Sequence, residues 1–464
     1  MRNSWIDTST ICALSTAPGA GAIAVIRVSG PDAIRSCNAI FSKDITHAKG
    51  YSVVYGSIVD QNRVVDDVVL TIFRGPNSFT GEDTVEIACH GSKFIQQEIL
   101  KLLMSQGLIP ARAGEFTMRA FANGKMDLSQ AEAVADLIAS ESAAAHHLAM
   151  HQLKGGFSKQ INNLREQLIN FASLIELELD FSEEDVEFAD RSQLLQLVAE
   201  IHRVIEKLIR SFDYGNAIKN GVPVAIVGVP NVGKSTLLNA LLEEDKAIVS
   251  DIAGTTRDAI EDTMIINGIE FRFIDTAGLR ETTDIVESIG IEKTWKKINE
   301  ASIVLYLVDA LSSSREEIRT TIEVFREYTK TASHHFLMVI NKTDQWKGSQ
   351  EALLEKFNVD AEKIVISARD GKNLDELKLR LFHYVEENGK DRGDVVVTNV
   401  RHLNALQKAM NFLNEVETGM KSGLSGDLLA EHLRMVLYHL GEITGEISTE
   451  DLLGNIFSKF CIGK

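Results

Sequence analysis

Cysteine is scarce: there are four in 464 residues, Cys12, Cys37, Cys89 and Cys461. Their scatter offers neither a disulfide framework nor a Cys-x-x-Cys metal knuckle. A reducing, cytoplasmic setting is therefore expected. With 6 Pro and 32 Gly, collagen-like and low-complexity compositions are excluded. No run reaches the roughly 18 apolar residues of a membrane span. Residues 1–10 are polar, carry Asp7, and lack the basic-then-apolar order of a secretory signal. The ending Cys461-Ile-Gly-Lys464 sits where a prenylation box would, but its Gly and terminal Lys fit that pattern poorly. Positive charge is also in deficit. The formal net charge is −18, with residues 1–120 balanced and 121–215 the most acidic stretch. Such a surface repels phosphate backbones, so a nucleic-acid partner would need a local basic patch or a second protein.

What is present is a change of texture along the chain. Residues 1–120 read as mixed α/β. Residues 52–60 and 64–73 alternate like paired strands around Asn62. Ile95, Ile99, Leu102 and Leu103 share one helical face. Asp127-Leu-Ser-Gln130 resembles a capping box opening a long Ala-rich helix to about Leu153, broken by Gly155-Gly156. Helical stretches are expected at 158–180 and 191–212, strands alternating with helices from Val222 to about Val385, and helices again over 403–460. The simplest organisation is a doubly wound α/β domain inserted into a helical one, whose two halves pack as one bundle. The expected boundaries are 1–122, 123–217, 218–385 and 386–464.

The inserted segment opens with an apolar strand, then Gly228-Val-Pro-Asn-Val-Gly-Lys234-Ser235, then an apolar helix. This is G-x-x-x-x-G-K-S in the strand–loop–helix setting that the phosphate-binding loop requires. Backbone amides and the helix N-terminus cradle phosphate. Lys234 reaches the β- and γ-phosphates, and Ser235 ligates Mg²⁺. Asp275-Thr276-Ala277-Gly278 follows a second strand and belongs near the Mg²⁺ and the γ-phosphate. Asn341-Lys342-Thr343-Asp344 follows a third; its Asp accepts hydrogen bonds from guanine N1 and N2, donors that adenine lacks. Ser367-Ala368-Arg369 resembles the loop backing the guanine ring. Together these select GTP over ATP. The full expected nucleotide set adds Asn231, Val232, Gly233 and Thr236 from the first loop and Ser250, Asp251, Ile252, Ala253, Gly254, Thr255 and Thr256 from Ser-Asp-Ile-Ala-Gly-Thr-Thr.

Small GTPases carry a water-orienting Gln directly after Asp-Thr-Ala-Gly; here that position is Leu279. Glu281, two residues on, is the candidate catalytic carboxylate, with a solvated loop charge as its alternative. Thr256 is the expected second Mg²⁺ ligand. Asn231, Ser250, Ile252 and Thr255 form a candidate K⁺ site beside the phosphates, where an arginine finger would otherwise act.

Beyond these motifs, Gly75-Pro-Asn-Ser-Phe-Thr-Gly-Glu-Asp83, the run from Gly114-Glu-Phe-Thr to Glu-Ala-Val134, and Phe460-Cys-Ile-Gly-Lys464 are unusual. In this order, around a central GTPase segment, they make the chain resemble the MnmE (TrmE) family of tRNA modification GTPases over its whole length. The resemblance implies a tetrahydrofolate-binding, dimerising N-terminal domain similar to the glycine-cleavage T-protein, and a discontinuous helical domain carrying the G domain. It implies a homodimer that joins an FAD-containing partner of the MnmG (GidA) type in a heterotetramer. Together they would install an aminomethyl-type group at C5 of the wobble uridine of certain tRNAs with a folate one-carbon unit. K⁺-dependent meeting of two G domains would activate hydrolysis. Carried over by position, the folate contacts are Arg27, Glu86, Lys125 and Lys464, each alternatively an ordinary surface or packing charge. Cys461 is either a nucleophile for C6 of uridine or a solvent-facing thiol at the chain end.

Other features read as structural. Glu183-Glu184-Asp185 with Glu187 is a solvated face or partner contact rather than a metal site, and adjacent His146 and His147 point to different helix faces. Two rival functions remain. A ribosome-assembly or RNA-binding GTPase switch would carry a KH loop, but Gly423-Leu-Ser-Gly426 has no basic residue and lies between helices. A dynamin-like membrane GTPase would carry a basic amphipathic helix, and none is evident.

Overall fold

The computed structural model describes residues 8–61, 63–180, 191–246, 262–274, 298–328, 334–389 and 395–463. These form two compact units. One comprises residues 1–138, 150–202 and 405–464; the other comprises 139–149 and 203–404.

In the first unit, β1 (Ile11–Leu14), β2 (Ile23–Ser29), β3 (Ser52–Asp60), β4 (Arg63–Phe73), β5 (Thr84–His90) and β6 (Ile109–Pro110) form one sheet in the order β3-β4-β5-β2-β1-β6. Neighbours are antiparallel except β1 and β6. The alternating segments around Asn62 do pair, with an irregularity between Ile58 and Val59. Ile99 and Leu103 of the helix Lys93–Ser105 are buried with Ile26, Leu70 and Ile87 in one core. Cys12, Cys37 and Cys89 are free thiols buried in that core. Burial pushes the Cys12 and Cys89 thiols up to about 11, so they act as small apolar residues.

The helical part of this unit begins with a reciprocal capping box. The Gln130 amide donates to Asp127 Oδ1 at 2.9 Å, and the Asp127 amide donates to Gln130 Oε1 at 3.0 Å. The Ala-rich run is not one helix, however. It divides into Leu128–Ala139 and Ala143–Leu153, the latter lying for most of its length in the other unit. The Ser142 hydroxyl accepts the Ala145 amide at 3.2 Å, so a side-chain cap starts a new helix where the sequence reading continued the old one. Helix Gly156–Asp180 packs against Gly426–Thr444, which arrives from the far end of the chain, and Arg434 pairs with Glu176 at 2.6 Å. The two helical halves thus pack together, as their separation by an α/β segment implies. Gly423-Leu-Ser-Gly426 is the turn between helices Val400–Ser422 and Gly426–Thr444, closed by the Leu424 amide donating to Gly419 O at 2.8 Å. That is a helix stop, not a KH loop.

The chain end returns to the first sheet. Ala113 and Ile462 form a bridge, the Ser15 hydroxyl donates to Gly463 O at 3.2 Å, and Phe457 packs beside Phe121.

The second unit is a doubly wound sheet of β7 (Val222–Val227), β8 (Asp262–Ile266), β9 (Ile269–Ile274), β10 (Ile303–Asp309), β11 (His335–Asn341) and β12 (Glu362–Val365). Its order is β12-β11-β10-β7-β9-β8, parallel throughout except for the edge strand β8. Every residue of β10 is buried, as a central parallel strand covered on both faces requires. Helices Lys234–Lys246, Arg315–Tyr328, Gln350–Lys356 and Leu374–Gly389 belong to this unit. The strand order brings the carboxyl ends of β7, β11 and β12 to one edge, where a doubly wound sheet binds its ligand.

Candidate functional site

The loop from Gly228 to Gly233 leaves β7 and enters the helix Lys234–Lys246. Only glycine fits its two ends. A Cβ on Gly228 would lie 2.5 Å from Leu307 O, and one on Gly233, at φ +102°, would lie 2.4 Å from Asn341 Nδ2. The Lys234 ammonium donates to Gly228 O at 2.8 Å and Val229 O at 3.1 Å. Burial holds its pKa below the usual lysine value. Among the described residues its hydrogen-bond partners are carbonyls, which leaves its charge suited to a phosphate. Ser235 and Thr236 are exposed at the helix start, where a metal ligand would be needed, and Asn231 is exposed with φ 60°.

The base-side motifs meet this loop through one residue. Asn341, 2% exposed, donates from Nδ2 to Val232 O at 2.9 Å and accepts the Ala368 amide at 3.0 Å. It therefore joins the phosphate loop, its own Asn341–Asp344 loop and the Ser367–Arg369 loop. The Ser367 hydroxyl donates to Asp344 Oδ1 at 2.9 Å, which leaves Oδ2 for a guanine donor. The Thr343 hydroxyl donates to Ile366 O at 2.9 Å. Arg369 is exposed. Ser250, Asp251, Ile252, Ala253, Gly254, Thr255, Thr256, Asp275, Thr276, Ala277, Gly278 and Glu281 lie outside the described residues, as does the acidic run 183–187.

Asp309 escaped the sequence reading. It ends the otherwise apolar β10, and its Oδ2 takes the Lys342 ammonium at 2.8 Å. The signal was a lone carboxylate closing a wholly buried strand.

A second polar cradle lies in the first unit. Arg27 on β2 and Glu86 on β5 are register partners. Arg27 donates from Nε and Nη2 to the same oxygen, Glu86 Oε1, at 2.9 and 2.8 Å. The guanidinium lies beside the Phe79 ring at 5.5 Å and the Phe116 ring at 5.6 Å. Lys125, two residues beyond the helix Glu115–Ala122 and its Asn123 cap, donates to Pro76 O at 2.9 Å. Here it ties down the 75–83 turn. Lys464 lies outside the described residues. Cys461 is exposed, and its carbonyl accepts the Gly114 amide at 3.4 Å. Among the described residues no cluster of three His, Cys, Asp or Glu could hold a metal, and no helix is long and apolar enough to cross a membrane.

Comparison with known proteins bears on both regions. The family described as GTP-binding protein TrmE N-terminus matches residues 10–125, and MnmE helical domain matches residues 128–461. The tRNA modification GTPase MnmE of Christiangramia forsetii is 54% identical over 98% of this chain and 99% of its own length. That of Cytophaga hutchinsonii is 54% identical over 98% of each chain. The chain belongs to the MnmE (TrmE) family of tRNA modification GTPases. Among similar MnmE proteins, that of Bacteroides thetaiotaomicron is 50% identical over 99% of this chain and 100% of its own. Among solved structures, the G domain of the T. maritima FeoB iron transporter aligns with 35% of this chain and 98% of its own, at 22% identity and a TM-score of 0.26. The doubly wound assignment of this MnmE-family G domain rests on its own strand order.

Proposed function

We propose that this chain hydrolyses GTP to GDP and phosphate in order to modify C5 of the wobble uridine in certain tRNAs. Membership of the MnmE family makes it a tRNA modification GTPase. The observation that carries the nucleotide reading is Asn341, whose side chain joins the phosphate loop at Val232 to the base loop at Ala368. In this reading Asp344 selects guanine, Lys234 neutralises the β- and γ-phosphates, and Glu281 orients the attacking water. Ser235 and Thr256 would hold Mg²⁺, which supplies charge to the phosphate oxygens. Asn231, Ser250, Ile252 and Thr255 would hold K⁺, which supplies positive charge at the bond being broken. Activation would then depend on K⁺ and on the meeting of two G domains in a homodimer.

The Arg27–Glu86 cradle fits a reduced folate by its donor set. Both Arg27 contacts fall on Oε1, so Oε2 is the acceptor left for a pterin N–H edge. Arg27, Lys125 and Lys464 answer the anionic tail. The folate supplies the one-carbon unit, and an FAD protein of the MnmG type supplies the redox step in a joint heterotetramer acting in the cytoplasm. Cys461 is a candidate nucleophile toward C6 of the uridine.

The test is nucleoside analysis of bulk tRNA from a strain lacking this gene. Loss of the C5-modified wobble uridine, restored by the parent gene, is the expected result. Unchanged wobble uridines would overturn the modification reading.

A further inference from the structure

Among the described residues the largest fully buried side chain is a charged one, Arg119, at 0% exposure. A buried guanidinium is costly unless it is paired and its remaining N–H groups are hydrogen-bonded. Glu115, one turn earlier on the same helix and itself buried, provides one partner: Nη2 lies 3.0 Å from Glu115 Oε1. Nη1 also engages both oxygens of Glu82, at 3.3 and 3.2 Å. Glu82 belongs to the 75–83 turn, far away in sequence. Its Oε2 also accepts the Ser29 hydroxyl at 2.8 Å from the end of β2.

The second pairing satisfies the buried Nη1 donors, and it does so with a carboxylate from outside the helix. It thereby fixes the turn. From the same side, Asn123 Nδ2 donates to Thr80 O at 2.8 Å and Lys125 to Pro76 O. The one large apolar side chain on that turn is Phe79, 37% exposed and beside Arg27. The other ring beside Arg27, Phe116, comes from the helix that carries Arg119. The guanidinium of Arg119 thus sets the distance between the two rings that flank the Arg27–Glu86 pair.

We propose that Arg119 is a positioning residue for the folate cradle: by gripping Glu82 it holds the 75–83 turn, and with it Phe79, in place as a wall for the flat pterin ring. This rests on the folate reading above. Arg119 acts through the turn and touches no ligand itself.

The test uses the full chain and folinic acid, a stable reduced folate, titrated calorimetrically into the parent, Arg119→Met, Arg119→Lys, Phe79→Ala and the double variant Arg119→Met/Phe79→Ala. Far-UV circular dichroism and GTP affinity report folding. Arg119→Met should weaken folinic acid binding on the order of tenfold or more, the scale for a slightly misplaced contact. Arg119→Lys should restore part of it, and amide exchange over residues 76–82 should accelerate in Arg119→Met. Adding Phe79→Ala to Arg119→Met should cost nothing further, because both act through one wall. Parental affinity in Arg119→Met, or losses that multiply in the double variant, would refute the positioning role. If Arg119→Met does not fold, Ser29→Ala loosens Glu82 from its other side. It should then show a severalfold loss with the same non-additivity toward Phe79→Ala, and parental affinity there overturns the proposal. A parent that binds no folinic acid would overturn the folate reading instead. The exchange comparison then decides by itself whether Arg119 holds the turn.

Discussion

Two cations divide this molecule, one half-buried and one fully buried. Among the described residues Lys234 in the second unit is held by carbonyl oxygens, and burial depresses its pKa. Arg119 in the first unit has two carboxylates on its fork. In the readings proposed above, the first is a charge prepared for an anion that arrives from outside; the second is a charge consumed internally to fix other residues. The difference separates a contacting residue from a positioning one. It also separates two ways of building a site. The nucleotide site is made of short contiguous loops at strand ends, with backbone amides and carbonyls as its tools. The cradle is made of single side chains from β2, β5, a turn and a helix.

The comparison breaks most visibly at the proposed catalytic carboxylate. Glu281→Ala should leave GTP affinity unchanged and slow hydrolysis by about 10²-fold or more, the scale of a positioned acid–base group. Single-turnover hydrolysis beside nucleotide titration reads this. A parental rate would make Glu281 a surface charge. Next comes base selection. Asp344→Asn removes a charge-assisted acceptor and should cost about 2–4 kcal/mol of GTP affinity. Folinic acid affinity should not move, since sites without shared partners behave additively. A matching loss of folate affinity would show that the two regions are energetically one.

The same division governs what could be read from the residues alone. Phosphate loops demand glycine where a Cβ would strike a neighbour, and Gly228, against Leu307 O, and Gly233, against the Asn341 side chain, meet that demand within six residues of each other. Chemistry so local leaves a local trace, and Asn341, Asp344 and Ser367 were legible for the same reason. Arg27 and Glu86 are 59 residues apart. Their pairing depends on the β2–β5 register, which spacing does not reveal, and they were reached only through a family resemblance. Arg119 and Asp309 were missed because their roles are defined by a distant partner, Glu82 in one case and Lys342 in the other. The Ala-rich helix was overextended because Ser142, mid-run, chose to cap. Its composition favoured helix on both sides, so periodicity carried no signal of the break.

The smallest expected effect sharpens the comparison further, because Asp309 is a positioning residue inside the contacting site. Burial by itself would raise its pKa. The Lys342 ammonium and the amides of Leu311 and Ser312 outweigh that and hold it below the ordinary Asp value of 3.8. A carboxylate depressed on folding contributes stability that is fully present above the unfolded pKa. That contribution is lost as pH falls through the lower, folded value. Asp309→Asn keeps the shape but deletes the charge. At pH 7 it should destabilise the second unit by about 1.5–3 kcal/mol, the range for a hydrogen bond to a charged group. It should also weaken GTP binding severalfold by loosening Lys342. Below pH 3.8, as the parental carboxylate takes up its proton, the difference between parent and variant should shrink. Urea unfolding of both proteins at pH 7 and near pH 3, followed by a probe placed in the second unit, measures it. A stability gap that is unchanged between the two pH values would mean that Asp309 contributes through packing rather than through its charge. Lys342 would then be positioned by its own backbone conformation, at φ 65°, and the nucleotide site would hold no counterpart to Arg119.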